Sequence, residues 1–421
     1  MASVLARKFS WVAVVVGLVG SAPFAAADPL PLTPIAPDVG LEPSLGIRYG
    51  GLIYRPTIAT GIINDSNILY SNTNAARDWV FFVRPGLSIA TTDPNYRFVL
   101  RTDIEHLEYR ESDADSRTNA TATLDGTVRA ARDLEFDVGA SARHANDQRT
   151  ATRRDLPTNL AEPAPHDAYG SRLAMRSFFR PVISTLAVDY ATDSYSSVRS
   201  VTGSIVDLRF LDRDMLTVSH KTEVPFSQRF RFVNRVAWIE TDYRNVPLVV
   251  PRDSSKVEVS NGVEVVFSPV LRGDFTFLYG KSDFTSPLIV ADPENFYTLN
   301  LIWQPRSYFT LRFNAAREFG GVNFEQDFGA GRRTRLGVTM DYGITRRLTW
   351  RAGFNYVHAN GDNLLGATRV EDQYVYNTSL GYAVNDRVSL FLDYNLENYN
   401  STISAEQYDR QVIQAGVIAR Y

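Results

Sequence analysis

The sequence predicts an all-β fold, a transmembrane antiparallel up-and-down β-barrel of about eighteen strands with short periplasmic turns and long extracellular loops. Three observations carry this. From residue 49 to 421, runs of about ten residues alternate apolar and polar side chains, and a strand points successive side chains to opposite faces. The connections between runs alternate short and long. Behind an N-terminal export signal, no stretch approaches the ~18 apolar residues that a membrane helix needs.

In chain order, Arg7 and Lys8 precede an apolar run over 9–19, and Ala25-Ala26-Ala27 stands before Asp28. That is the pattern of a cleaved secretory signal peptide over 1–27, too short to span a bilayer. Residues 28–46 carry Pro29, Pro31, Pro34, Pro37 and Pro43 and read as an extended periplasmic leader. The barrel then occupies 47–421.

Short connections are expected at Thr92-Asp93-Pro94-Asn95, Ala131-Arg132-Asp133, Phe179-Arg180-Pro181, Phe226-Ser227-Gln228, Ser268-Pro269-Val270, Pro305-Arg306-Ser307, Thr345-Arg346-Arg347 and Asn385-Asp386-Arg387, each with turn chemistry after an apolar strand end. Long ones, rich in Asp, Asn, Ser and Arg, fall near 64–77, 111–117, 146–167, 193–213, 244–255, 283–294, 319–332, 360–371 and 399–408. Val201 to Phe210 has strand character. An odd strand would put the termini on opposite rims, so this stretch is assigned to a loop.

The face assignment repeats from strand to strand. Trp79, Phe81, Val83, Leu87 and Ile89 oppose Arg84, Gly86 and Ser88. Tyr96, Phe98, Leu100 and Ile104 oppose Arg97, Arg101, Asp103 and Glu105. The last strand puts Ile413, Ala415, Val417, Ala419 and the terminal Tyr421 on one face, resembling the C-terminal signal read by barrel-assembly machinery. A midplane Arg or Lys facing lipid costs about 2–4 kcal/mol, and a one-residue slip would flip a whole strand, so the register is strongly constrained. Asn234 and Asn261 fall on the lipid face and point to a bulge, a rim position or a contact between protomers.

Composition excludes several functions. With no cysteine there is neither a disulfide nor thiolate chemistry. A net charge of −3 gives no reason to expect nucleic acid. Mean hydropathy of −0.19 is what a barrel shows, because only alternate residues meet lipid. The histidines His106, His144, His166, His220 and His358 include no i, i+4 pair with an acidic partner, so no metal or other cofactor is expected. His166-Asp167 with nearby Ser171 is the only trace of a hydrolytic triad, and the chain reads as a non-enzyme. Asp113, Asp115 and Asp362 lie in outer loops, where they read as solvated carboxylates in preference to a site that attracts divalent cations.

Two stretches carry a family resemblance. One, 211–229, opens Leu211-Asp212-Arg213-Asp214 and ends Phe226-Ser227-Gln228. The other, 369–390, opens Arg369-Val370-Glu371-Asp372 and turns at Asn385-Asp386-Arg387. With strands entered through an acidic-basic cluster and left at a Ser-Pro or Asn-Asp turn, the chain resembles the beta-barrel porin 2 group of proteobacterial outer-membrane proteins over about residues 46–421. The resemblance implies an outer-membrane location and supplies no catalytic residues. It also implies a link to exopolysaccharide or capsule export, with periplasmic export proteins as partners. Lipid, lipopolysaccharide and the assembly machinery are the remaining expected partners, and no sequence patch fixes an oligomeric state.

What remains is the inner wall. Arg84, Arg97, Arg101, Arg129, Arg143, Arg172, Arg176, Arg231, Arg235, Arg312, Arg335 and Arg351 are expected to face inward with Asp103, Glu105, Glu135, Asp137, Glu264, Asp341 and Asp393. Such charges either select solutes as rings or stiffen the wall as an ion-pair lattice. Three functions follow: a porin-like channel for polar or anionic solutes, narrowed by loop 146–167 or 193–213; a conduit for an exported polysaccharide, for which Phe391, Asn377 and Asn395 are candidate lining; and a structural or adhesive barrel with a blocked lumen.

Overall fold

The computed structural model of the chain describes residues 46–73, 75–93, 95–149, 159–244, 251–286, 294–320, 328–363 and 368–421. The signal peptide over 1–27 and the leader as far as residue 45 lie outside the described residues.

Among the described residues eighteen long strands form one antiparallel sheet. They are β1 (Leu52–Asp65), β2 (Asp78–Thr91), β3 (Tyr96–Tyr109), β4 (Arg117–Ala131), β5 (Leu134–Asp147), β6 (Ala164–Phe179), β7 (Val182–Tyr195), β8 (Arg213–Pro225), β9 (Phe230–Tyr243), β10 (Ser254–Ser268), β11 (Leu271–Phe284), β12 (Glu294–Arg306), β13 (Phe309–Gly320), β14 (Phe328–Gly343), β15 (Leu348–Asn363), β16 (Thr368–Ala383), β17 (Val388–Ser401) and β18 (Tyr408–Arg420). Each pairs with its sequence neighbour, and β18 returns to β1 from Thr57↔Arg420 to Asp65↔Val412, which closes the barrel and removes its edges. Within the stretch 193–213, residues 196–212 are a loop and the ends belong to the flanking strands, as the strand parity requires. β7 pairs directly with β8, and the loop holds a separate ribbon, Val198–Arg199 against Ile205–Val206, and a single 3-10 turn, Arg209–Leu211.

Local chemistry explains the short turns. Asn385 Oδ1 accepts from the backbone N–H of Arg387 and Val388 at 2.8 and 2.9 Å. Ser227, Ser268 and Thr345 do the same with their hydroxyls, and Asp93 Oδ1 accepts from Asn95 N at 2.7 Å. A short polar side chain thus closes the turn that its own sequence position starts. Before β1, a three-residue strand (Ile47–Tyr49) folds back through Gly50-Gly51, whose φ values of 59° and 78° make a turn that glycine enters without strain.

The two faces differ as the alternation requires. On β2, Trp79 and Phe81 are 46% and 48% exposed, while Val80 and Phe82 between them are 1% exposed. The first pair shares its face with Ile58, Ile62, Leu392 and Ile413, a continuous apolar exterior. Aromatics exposed at the periplasmic end, among them Phe179, Phe230, Trp303, Tyr308, Tyr382 and Tyr421, mark an interfacial girdle. Strands of 12–16 residues exceed the about 9–11 needed to cross. The surplus lies at the extracellular end, where outward positions turn polar: His144, Asn146, Glu240, Asp242, Asn398 and Asn400. Leu392→Arg, on the outer face of β17, is expected to destabilise the barrel by about 2–4 kcal/mol in urea unfolding from bilayers. Asn395→Arg, on the inner face of the same strand, should stay within about 0.5 kcal/mol of wild type.

Candidate functional site

The site is the inner wall, and most of its candidate charges are matched locally. Arg101 meets Asp125 at 2.8 Å, Arg129 meets Glu135 at 2.7 Å, and Arg172 meets Asp189 at 2.7 Å, each pair bridging adjacent strands. Arg176 reaches Asp137 at 3.4 Å and Glu135 at 4.0 Å. Arg231 lies between Glu223 at 3.1 Å and Glu264 at 3.4 Å. Asp341 takes both Arg351, at 2.5 Å, and Arg312. Arg84 pairs with Glu105, and Arg335 approaches Glu318 at 3.7 Å. Asp393 accepts from the Ser379 hydroxyl, Asp103 stands across from Gly86 and Thr121, and Arg235 stands between Lys221 and Ser260. Of the basic candidates, Arg97 and Arg143 have no ion pair among the described residues.

Water-exposed pairs of this kind stabilise little, about 0–1 kcal/mol each. Their consequence is electrostatic. A guanidinium whose nearest neighbour is a carboxylate contributes little net field to the lumen, so the arrangement is a compensated lattice in place of a ring of one sign.

Between β12 and β17 the wall changes character. Asn300, Asn314, Gly337 and Asn355 stand in one cross-strand row, and Gly353, Asn377 and Asn395 form a second row on the adjoining strands. Any side chain at Gly337 would collide with the amides of Asn314 and Asn355, and one at Gly353 with Asn377. The glycines leave room for a belt of amides that offers both donors and acceptors. Phe391 is 4% exposed and packs against Phe82 with ring centroids 6.4 Å apart, so it presents no face to the lumen.

The adjoining wall, from β17 through β18 to β1, is covered by the chain itself. The described part of loop 66–77 folds inward, with Ile68 0% and Tyr70 1% exposed, and the inner-face residues Ile63, Val80, Phe82, Leu107 and Tyr109 are buried as well. Tyr70 meets the ring of Tyr408 edge-on at 5.1 Å. The Arg410 guanidinium lies 4.4 Å over the Tyr70 ring and donates to its hydroxyl at 2.6 Å. Arg410 also forks onto the fully buried Asp65, Nε to Oδ1 at 3.0 Å, with Glu397 at 3.8 Å. Burial pushes the Tyr70 hydroxyl above its ordinary range despite the opposing pull of Arg410.

Neighbouring loops lock this insert. Gln148 donates to the Ile68 carbonyl; Asp78 accepts from the backbone N–H of Glu111 and Ser112 at 3.1 and 2.9 Å. Asp115, expected to be solvated, is fully buried and ion-paired with Arg149. Arg369 is buried between Glu371, at 2.6 Å, and Glu406 of loop 402–407. Loop 196–212 forms a smaller apolar cluster on Ala164 and Tyr195 through Val198, Leu208 and Leu211.

Sequence reading missed the loop 66–77 insert, although a signal was present. Trp79-Val80-Phe81-Phe82-Val83 is continuously apolar, which means burial on both faces, and Ile68-Leu69-Tyr70 is apolar inside an otherwise polar loop. Strand alternation also separates the hydrolytic trace. His166 is inward beside Asp147, while Asp167 is outward with His144 at 2.8 Å, and Ser171 shares the outward face. His220, also outward, bonds the Ser184 hydroxyl at 2.8 Å. No group of three or more His, Asp or Glu able to hold a metal occurs among the described residues. Tyr421 packs under Arg387 at 4.6 Å and its N–H donates to the Pro56 carbonyl at 3.2 Å, fastening the C-terminus to β1.

No curated protein matches the sequence. Among solved structures, the chain is similar to the siderophore receptor PirA from Acinetobacter baumannii at 7% identity and a TM-score of 0.49, over 87% of this chain and 80% of that one. It is also similar to OccAB3 from Acinetobacter baumannii at 13% identity and a TM-score of 0.48, over 89% and 100%. The family described as Putative beta-barrel porin 2 matches residues 42–421, the whole closed barrel with its apolar exterior and polar inner wall, and the chain belongs to that family of outer-membrane-type porin barrels.

Proposed function

We propose that the protein is an outer-membrane channel for uncharged, hydroxyl-rich solutes, which pass along the amide-lined wall of β12 to β17. Loop 66–77 narrows the extracellular half from the adjoining wall of β17, β18 and β1. The observation that carries this reading is the local pairing of the inner guanidiniums with carboxylates. A lattice of that kind holds no excess positive field for anions, whereas amides can replace the hydrogen bonds that a hydroxyl leaves behind in water. The anionic-solute reading loses ground on the same observation. The polysaccharide-conduit reading loses its aromatic platform because Phe391 is buried.

In planar bilayers the refolded protein is expected to conduct with a K+/Cl− permeability ratio within about threefold of unity. A neutral oligosaccharide added to the chamber should lower the open current in a concentration-dependent way. Strong anion selectivity with no response to sugar would refute the proposal.

A further inference from the structure

The lipid-facing side of β6 to β10 carries a polar row that the channel function does not use. Ser177, Ser184, Thr222, Asn234 and Asn261 stand directly opposite one another from strand to strand. They share the outward parity of Leu186, Val236 and Val263, which are 45%, 43% and 41% exposed. His220, one outward position along β8 from Thr222, bonds Ser184. The row begins near the periplasmic end of β6 and reaches mid-strand at Asn261, the eighth of the 15 residues of β10. Neither a bulge nor a rim explains it: β9 and β10 pair without a break from Phe230↔Val265 to Thr241↔Ser254.

Two outward threonines elsewhere are turned back onto the protein; Thr60 donates to the Phe82 carbonyl at 3.0 Å and Thr378 accepts from Trp350 Nε1 at 2.8 Å. The two asparagines exhaust each other only in part. Asn234 Nδ2 donates to Asn261 Oδ1 at 2.9 Å and to the Ser260 carbonyl at 3.3 Å. That leaves Asn234 Oδ1 and Asn261 Nδ2 without a protein partner among the described residues.

Acyl chains can satisfy neither group, and polar side chains inside a membrane characteristically face protein. The cover must therefore present donors and acceptors at the same depth. A second copy of this chain in the same orientation does so, because an amide is both donor and acceptor and a row of them is self-complementary about a two-fold axis. We infer that β6 to β10 form an isologous interface on which two copies of this chain meet through the Ser177–Asn261 row.

The absence of native cysteine makes the test clean. Single Thr222→Cys and Asn234→Cys variants, oxidised in native outer membranes, should give a covalent dimer on denaturing gels. Ile413→Cys, outward on β18 and 47% exposed, should remain monomeric. The double variant Asn234→Leu, Asn261→Leu should run as a monomer in detergent by light scattering where the wild type is dimeric. It should keep its heat-dependent gel shift, which shows that the barrel still folds. The inference is overturned if both cysteine variants stay monomeric and react with a lipid-soluble maleimide as readily as Ile413→Cys. It is equally overturned if the wild type is monomeric by light scattering.

Discussion

Replacing Tyr70 by alanine is expected to unseat loop 66–77 and raise the single-channel conductance severalfold. The phenol ring is buried to 1% exposure against Tyr408 and Arg410. Truncating a fully buried aromatic costs about 3–5 kcal/mol, which is enough to release one loop without dissolving a barrel. The barrel's own ladder of backbone hydrogen bonds involves none of that side chain, so the heat-dependent gel shift should survive. A conductance equal to wild type in a folded Tyr70→Ala barrel would mean that the loop does not border the path. The pH dependence has a definite sign. Burial raises the folded pKa of Tyr70 above the ordinary 10.0, so its contribution to seating the loop is complete below pH 10 and is lost as pH rises beyond that. Wild-type conductance should therefore rise on the alkaline side, and Tyr70→Phe should lack that part of the response.

Arg410→Ala is the second large expectation. Its guanidinium is 3% exposed and bound to an Asp65 carboxylate that is 0% exposed. Removing one partner of a buried ion pair leaves the other charge without compensation, at about 3–5 kcal/mol. Asp65→Ala should cost a similar amount. The double variant Arg410→Ala, Asp65→Ala should cost clearly less than the two single losses added together, because neither charge is then stranded. Urea midpoints of the three variants in one lipid check this, and simple additivity would mean that the pair is not coupled.

Legibility followed the physics of each face. Strand count, turn positions and outward residues could be read because lipid penalises every misplaced charge, which makes the alternation strict. Asn385, Ser268 and Thr345 announced their turns through chemistry confined to a few residues. The insert was less legible because it depends on contacts between distant segments. Asp65 meets Arg410, and Ile68 meets Gln148, and the alternating pattern of each strand looks the same whether its inner face meets water or a loop. The doubly apolar run around Val80 and Phe82, with the apolar Ile68-Leu69-Tyr70 in the loop before it, betrayed a second buried face. The inner arginines were all placed on one wall by parity, but whether they formed rings or pairs depended on which strand ends stood opposite each other. That is a matter of register, which alternation within one strand does not set.

The measurement closest to the centre of the account is chemical protection of the inserted loop. In a chain free of cysteine, Ile68→Cys in intact cells should resist a membrane-impermeant maleimide and react fully only after the barrel is unfolded. Thr73→Cys, on an exposed part of the same loop, should react at once. Rapid labelling of Ile68→Cys in the folded barrel would place loop 66–77 outside the lumen and contradict the account.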